Sequence, residues 1–131
     1  MVKKYKKISG SILVIGNEIL SGRTKDQNVS YLASWLNTNL GIKIYEVRIV
    51  QDEEKEIIKN LLNLSKNYNY VFTTGGIGPT HDDITAQSIS RAFKKKYIYN
   101  KEAYEILSKY YGKKEFNDSR KKWQKCQKVR N

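Results

Sequence analysis

Residues 70–85 read Tyr70-Val71-Phe72-Thr73-Thr74-Gly75-Gly76-Ile77-Gly78-Pro79-Thr80-His81-Asp82-Asp83-Ile84-Thr85. The run from Tyr70 to Thr74 has the length and the β-branched, aromatic composition of a buried strand, and it stops at two glycines. Past the loop, Ile84, Ile89 and Phe93 recur at helical spacing, which predicts a helix from Thr85 to about Phe93 with Thr85 as its cap. The stretch is therefore a strand, a glycine-rich loop and a helix. Three glycines in four residues let backbone amides approach a ligand closely and take unusual torsions. The free amides of the following helix favour an anion in the same space. Thr74, Thr80 and Thr85 add hydroxyls, so Gly75, Gly76 and Gly78 with these threonines form a candidate phosphate cradle. It is not a Walker loop, since no Lys-Ser/Thr follows the glycines, and it is not the dinucleotide fingerprint Gly-x-Gly-x-x-Gly. Asp82 and Asp83 beside a phosphate cradle suit a bridging divalent cation. On residue types and spacing alone, an ordinary glycine turn capped by Asp82 or Asp83 stands as the other reading.

The same alternation extends outward. Ser11 to Ile15 is a short apolar run stopped by Gly16, and reads as a buried strand. From Asn28 the period changes: Val29, Leu32, Ala33, Leu36 and Leu40 share one helical face, and Gly41 fits a C-terminal cap. Tyr31 and Trp35 on that helix read as packing residues. Ile42 to Val50 alternates with one irregularity and reads as a strand. Asp52 has the character of an N-cap, with Glu53, Glu54 and Glu56 in a first turn that suits acids. Ile57, Ile58, Leu61 and Leu62 are that helix's expected inner face. Beyond Phe93, Tyr97–Tyr99 reads as a short strand, and Asn100 caps a helix from Lys101 to about Tyr111 that Gly112 ends. Strands alternating with helices across short loops imply an α/β fold: a three-layer sandwich with a mainly parallel sheet and helices on both faces. In such sheets ligands bind beyond the carboxyl ends of the strands. Two loops qualify, residues 16–22 after the first strand and residues 73–85 after the third, which brings Gly16 and Glu18 into the candidate site.

The loop Gly75-Gly76-Ile77-Gly78-Pro79-Thr80-His81-Asp82-Asp83-Ile84-Thr85 closely resembles the signature of the MoaB/Mog superfamily: Gly-Gly-Thr-Gly, four residues, Asp, one residue, Thr. Asp83 and Thr85 fall on its Asp and Thr, while Ile77 departs from the threonine of the adenylyltransferase branch. Pro79-Thr80-His81-Asp82-Asp83 resembles the CinA branch instead. So does Gly16-Asn17-Glu18-Ile19-Leu20-Ser21-Gly22, beside that branch's Gly-Asp-Glu-Leu-Leu-Ser-Gly. Asn28 matches an asparagine that opens the branch's first helix. The resemblance covers about residues 9–120. It implies a site for a phosphorylated pterin or nucleotide, molybdopterin among them, with magnesium or a similar divalent metal. It also implies a CinA-type nucleotide pyrophosphatase of the ADP-ribose/FAD class. A molybdenum-cofactor protein that binds or adenylylates molybdopterin, and a non-catalytic fragment, are the alternatives. In this reading Gly16, Glu18, Thr74, Gly75, Gly76, Gly78, Thr80 and Thr85 bind ligand and phosphate. Asp83, with Asp82, holds the metal or orients the nucleophile. His81, the single histidine, is expected to order the loop by hydrogen bonding more than to act as a base.

Composition sets the remaining bounds. The 131 residues suit one domain, read as a basic segment over 1–8, the domain over 9–120 and an irregular tail over 121–131. A net charge of +12 points at first to nucleic acid. Residues 94–131 hold 13 basic and 4 acidic residues and residues 1–7 hold 4 lysines, whereas residues 8–93 hold 8 basic and 9 acidic residues. The charge lies at the ends. With 31 lysines and asparagines and only 4 alanines, it has the look of an AT-rich genome's codon usage. No specific nucleic-acid partner is expected, and Lys94–Lys96 reads as a solvated helix end. No apolar run is long enough to span a membrane and no signal-like segment opens the chain, so a cytoplasmic protein, capable of forming homo-oligomers, is expected. A single cysteine, Cys126, excludes an internal disulfide. The resemblance also fails in an informative way after Arg120, where the family pattern runs Met-Ala, two residues, Pro, one residue, Gly. Back-translating Lys121 to Val129 with A-rich codons and starting one base earlier gives Met-Ala-Lys-Met-Pro-Lys-Gly, which restores the pattern. The expectation is a frame-shifted tail from about Trp123 and a sheet short of its final strand.

Overall fold

The computed structural model describes residues 7–115. The tail with Trp123 and Cys126, and the basic segment up to Lys6, lie outside the described residues. The elements run β1 (Ile8–Ile15), α1 (Asn17–Leu20), α2 (Asn28–Leu40), β2 (Ile42–Val50), α3 (Glu54–Asn67), β3 (Tyr70–Thr74), α4 (Thr85–Ala92) and α5 (Lys101–Glu115). The three strands form one parallel sheet in the order β2-β1-β3. The chain thus crosses over to one side of β1 and then to the other. Right-handed crossovers in opposite directions put α2 and α3 on opposite faces, which gives the three expected layers.

Alternation along β1 divides the core. Leu13 and Ile15 join Val50 and the helix residues Ile57, Leu61 and Leu64 in one buried cluster, with Val71, Ile84, Ile89 and Phe93 packed against it. Ile12 and Val14 point the other way and are equally buried, as is Leu36 on α2, which packs over β2. β1 is closed off on both faces, which is why it reads as a continuous apolar run and not as an alternating one. The α3 stripe is Ile57, Leu61 and Leu64, a rotation from the expected Ile57, Ile58, Leu61 and Leu62. Ile58 and Leu62 are half-buried flanks. Arg91 of α4 pairs with Glu54 of α3 on the outside of this layer.

The irregularity in β2 is a bulge. Gly10 pairs with Ile44 and Ser11 with Glu46, so Tyr45 stands opposite no residue of β1. The extra residue keeps Ile42 and Ile44 on the same face as Val47 and Ile49. It turns Glu46 and Arg48 to the opposite face, toward α3. There Arg48 donates to Glu46 at 2.6 Å, Asn60 at 3.1 Å and Asn63 at 2.7 Å, and the Tyr68 hydroxyl donates to Glu46 at 2.8 Å. The Arg48 hydrogen bond, then that of Tyr68, holds the Glu46 carboxyl below its ordinary value, and the same carboxylate raises the Tyr68 phenol.

Several expectations need correction. Tyr31, at 66% exposure, and Trp35, at 45%, are not packed, and Leu40 is exposed as well. Alpha 2 meets an edge strand along a narrow stripe centred on Leu36, which leaves its flanks outside. Tyr97–Tyr99 is irregular, with Ile98 and Tyr99 exposed. The preceding chain is turned back by Ser90 Oγ donating to the Lys95 carbonyl and the Lys95 amide donating to the Ser90 carbonyl. Among the described residues no strand pairs with it. The helix after Asn100 begins as expected, with Asn100 Oδ1 accepting from the Ala103 amide at 3.1 Å. Gly112, at φ 66°, interrupts it, and helical bonding resumes to Glu115. Gly41, at φ 65°, closes α2 in the left-handed conformation the sequence calls for.

Candidate functional site

The order β2-β1-β3 makes the gap between β1 and β3 the place where the sheet's winding reverses, and loops leaving neighbouring strands there diverge to opposite faces. Both glycine-bearing loops leave from this point. Gly16 leaves β1 with its amide donating to the Val50 carbonyl at 3.0 Å. One turn of helix, α1, replaces the open loop expected over 16–22. Glu18 lies in that turn with its carboxylate folded over Gly16, where a Cβ would stand 2.8 Å from Glu18 Oε1.

Gly75 and Gly76 leave β3 at φ 86° and 60°, a region that strains any residue with a side chain. Their bareness serves the protein's own packing. A Cβ on Gly75 would sit 1.9 Å from the Ile15 carbonyl oxygen, one on Gly76 2.3 Å from Thr85 Oγ1, and one on Gly78 2.6 Å from Asp83 Oδ2. Thr85 is accordingly not the cap but the first residue of α4, fully buried. Its hydroxyl donates to the Gly75 carbonyl at 2.8 Å and its amide to the Gly76 carbonyl at 3.1 Å. These bonds fasten the helix to the strand it follows. The amides of Gly76, Ile77 and Gly78 donate to no other described residue. The Thr74 hydroxyl is buried with no partner among the described residues, an uncommon condition that calls for a ligand, a water or further chain.

The acids are distributed unequally. Asp83 is folded under the loop, its Oδ2 accepting from the Thr80 amide at 2.9 Å and the Thr80 hydroxyl at 2.7 Å. Asp82 stands outside it at 81% side-chain exposure, 3.1 Å from His81, itself 92% exposed. The structure thus groups Gly75, Gly76 and Thr85, groups Gly78, Thr80 and Asp83, and sets Asp82 apart with His81. Among the described residues no three His, Cys, Asp or Glu side chains converge as a metal cage.

Asp52 belongs in the site although the sequence offers it as a helix cap. Glu53 holds the N-cap position, with no side-chain cap bond. The Asp52 carboxylate turns instead to the β1 loop, Oδ2 accepting from the Asn17 amide at 2.8 Å. Its Oδ1 lies 3.5 Å from where a Cβ on Gly76 would be. The available signal was position: Asp52 follows the end of the neighbouring parallel strand, the same edge from which Gly16 and Gly75 leave.

The comparisons with known proteins bear on the family and the fold. A family described as "Probable molybdopterin binding domain" matches residues 11–127. A CinA-like protein from Fusobacterium nucleatum is 41% identical over 104 residues, covering 79% of this chain and 26% of that protein. A "Probable FAD synthase" from Caenorhabditis briggsae is 37% identical over 102 residues, covering 78% of this chain and 19% of that protein. The chain thus spans about a quarter and about a fifth of the lengths of these two curated relatives. The crystal structure of the protein CinA, of unknown function, from Thermoplasma acidophilum superposes with a TM-score of 0.80 at 27% identity, over 91% of this chain and 70% of that one. No described helix is long and apolar enough to cross a membrane. With the family's match running through both strand-end loops, the chain belongs to the family of probable molybdopterin-binding domains and is similar to CinA-like proteins.

Proposed function

We propose that this domain binds a phosphorylated nucleotide in the crevice between β1 and β3 and hydrolyses its pyrophosphate, with ADP-ribose and FAD as the substrate class. The observation that carries the reading is the glycine loop at the winding reversal, with the amides of Gly76, Ile77 and Gly78 uncommitted among the described residues. Such amides receive phosphate oxygens without the cost of breaking other bonds. The Thr74 hydroxyl supplies a donor of the same kind, and the name FAD synthase given to the Caenorhabditis briggsae relative concerns a dinucleotide of this class.

The donor set fits a hard divalent cation of the magnesium type, which takes one or two carboxylates and completes its shell with substrate phosphates and water. Asp52 and Glu18 come to the site from the ends of β2 and β1 and Asp83 from the β3 loop, while Asp82, outside the loop, would have to turn inward to join them. A cation bound there neutralises phosphate charge and makes water more acidic. The protein's own part is to seat the phosphates on the loop, to hold that loop closed through Thr80–Asp83 and Thr85–Gly75, and to present a carboxylate toward the attacking water.

Hydrolysis would split the pyrophosphate of ADP-ribose into AMP and ribose 5-phosphate, water adding across one P–O bond. The test is a panel of ADP-ribose, FAD, NAD and ATP with Mg2+, Mn2+ or chelator, read by chromatography of released AMP and by calorimetry. Chelator-sensitive AMP release supports the reading. Binding without turnover favours a carrier of the nucleotide or of molybdopterin, which the commitment of Asp83 Oδ2 to Thr80 would suit. Absence of binding by every member of the panel removes the nucleotide.

A further inference from the structure

Asn17 and Asp52 are 35 positions apart and hold each other twice. The Asn17 amide donates to Asp52 Oδ2 at 2.8 Å, and the Asp52 amide donates to Asn17 Oδ1 at 3.1 Å. With the Gly16 amide on the Val50 carbonyl, this closes the end of β2 onto the end of β1. The consequence is directional. One oxygen of Asp52 accepts from the Asn17 backbone amide, and the other lies against the glycine loop, 3.5 Å from where a Cβ on Gly76 would be. The residue at position 17 must offer an acceptor to the Asp52 amide. Asparagine and aspartate both can, but only asparagine does so without placing a second negative charge against the carboxylate. The CinA-type motif that this loop resembles has aspartate at this position, where this chain has the neutral amide.

We propose that Asn17 is a positioning residue: it fastens the Asp52 backbone so that the carboxylate faces the glycine loop and, being neutral, keeps the charge of the Asn17–Asp52 pair at one where an anionic ligand binds. This rests on the crevice being the ligand site. A shorter side chain at 17 frees the Asp52 backbone amide and loosens the backbone that carries the carboxylate, although the bond from the residue-17 backbone amide to Asp52 Oδ2 remains. An aspartate keeps the aim and doubles the charge. The two substitutions therefore act by different physics, and a merely structural asparagine would not separate them.

The experiment measures ADP-ribose binding by calorimetry at low and high salt for the wild type, Asn17→Asp, Asn17→Ala, Asp52→Asn and Asn17→Asp/Asp52→Asn. Without added metal, Asn17→Asp is expected to weaken binding about tenfold at low salt, the loss shrinking as salt screens the added charge. Asn17→Ala is expected to weaken it severalfold with little salt dependence. The Asn17→Asp/Asp52→Asn variant carries one charge at the pair, as the wild type does, and should bind within about twofold of the wild type at low salt. A double variant that binds as weakly as Asn17→Asp, or identical salt behaviour of the two Asn17 variants, would overturn the positioning role. Amide hydrogen exchange reads the pair with no ligand present. The Asp52 amide should be protected in the wild type and Asn17→Asp and unprotected in Asn17→Ala, and equal exchange in all three also overturns the proposal. If exchange follows this pattern but the wild type binds no ADP-ribose, the ligand reading falls and takes the positioning role with it. The pairing of Asn17 and Asp52 is then a strand-end fastening only.

Discussion

Gly76→Ala is expected to cost far more stability than Gly41→Ala, although both glycines have nearly the same backbone. Their φ values are 60° and 65°, and a side chain held in that region costs about 1–2 kcal/mol. At Gly41 the penalty ends there, since nothing lies within 4 Å of the new carbon. At Gly76 the new carbon would stand 2.3 Å from Thr85 Oγ1. That hydroxyl is fully buried and donates to the Gly75 carbonyl. Displacing it leaves a buried donor and acceptor unpaired, about 1–3 kcal/mol more. The sum, about 2–5 kcal/mol, is a large part of the roughly 5–15 kcal/mol that holds a domain folded. Urea unfolding followed by circular dichroism of the wild type, both single variants and Gly76→Ala/Thr85→Ala measures it. Removing the Thr85 hydroxyl should recover about 1 kcal/mol or more of the Gly76 loss, as a coupling between neighbours. Equal costs at Gly41 and Gly76, or a strictly additive double variant, would refute the account of the loop as a self-packed turn.

Other outcomes follow from the same geometry. Asp83→Ala should lower ADP-ribose turnover, or binding if there is no turnover, by at least about tenfold. Its melting temperature should fall less than that of Gly76→Ala, and activity near the wild-type level would remove Asp83 from the site. The depressed Glu46 carboxyl adds stability that is present above its ordinary value of 4.5 and is lost as pH falls through its lower folded value. The stability difference between wild type and Glu46→Gln should thus shrink on acidification below about pH 4, and a difference constant from pH 7 to pH 3 in urea titrations would contradict it. The nucleotide sequence tests the tail: read in the shifted frame, the bases after the Arg120 codon should continue into an Asn-Pro and Ala-Pro-Gly-like stretch. A shifted frame that soon meets a stop, or lacks that stretch, would end the idea.

The elements that sequence reading found are those whose physics is local. A period of two or of 3.6, a glycine at φ 65° and an asparagine on a free amide mark β1, β3, α2 and the start of α5 without reference to the rest of the chain. What was missed depends on contacts distant in sequence. Asp52 has the local chemistry of a cap, and only the arrival of Asn17 from 35 residues upstream gives its carboxylate a better partner. Thr85 likewise looks like a cap until Gly75 is seen to take its hydroxyl. The candidate site was legible as two loops because parallel strands bring their carboxyl ends together whatever the side chains are. Which acids face inward was not, because Asp82 and Asp83 are neighbours in sequence and part company only when Thr80 folds back over Asp83.

The unpaired Tyr45 gives β2 nine residues against the eight of β1 that it accompanies. It works as slack taken up mid-strand: the lower half of the pairing is set by Ile8 on Ile42, the upper half by Ile15 on Val50, and one residue absorbs the difference. Each strand residue advances the chain by about 3.3 Å. Were Tyr45 to pair with Ser11 instead, the chain above it would advance one such step along β1 and turn its faces over. Asp52 would then arrive one residue beyond its place at Asn17. The reach of a carboxylate at the mouth of the crevice is thus metered seven residues upstream, at a position that touches nothing there.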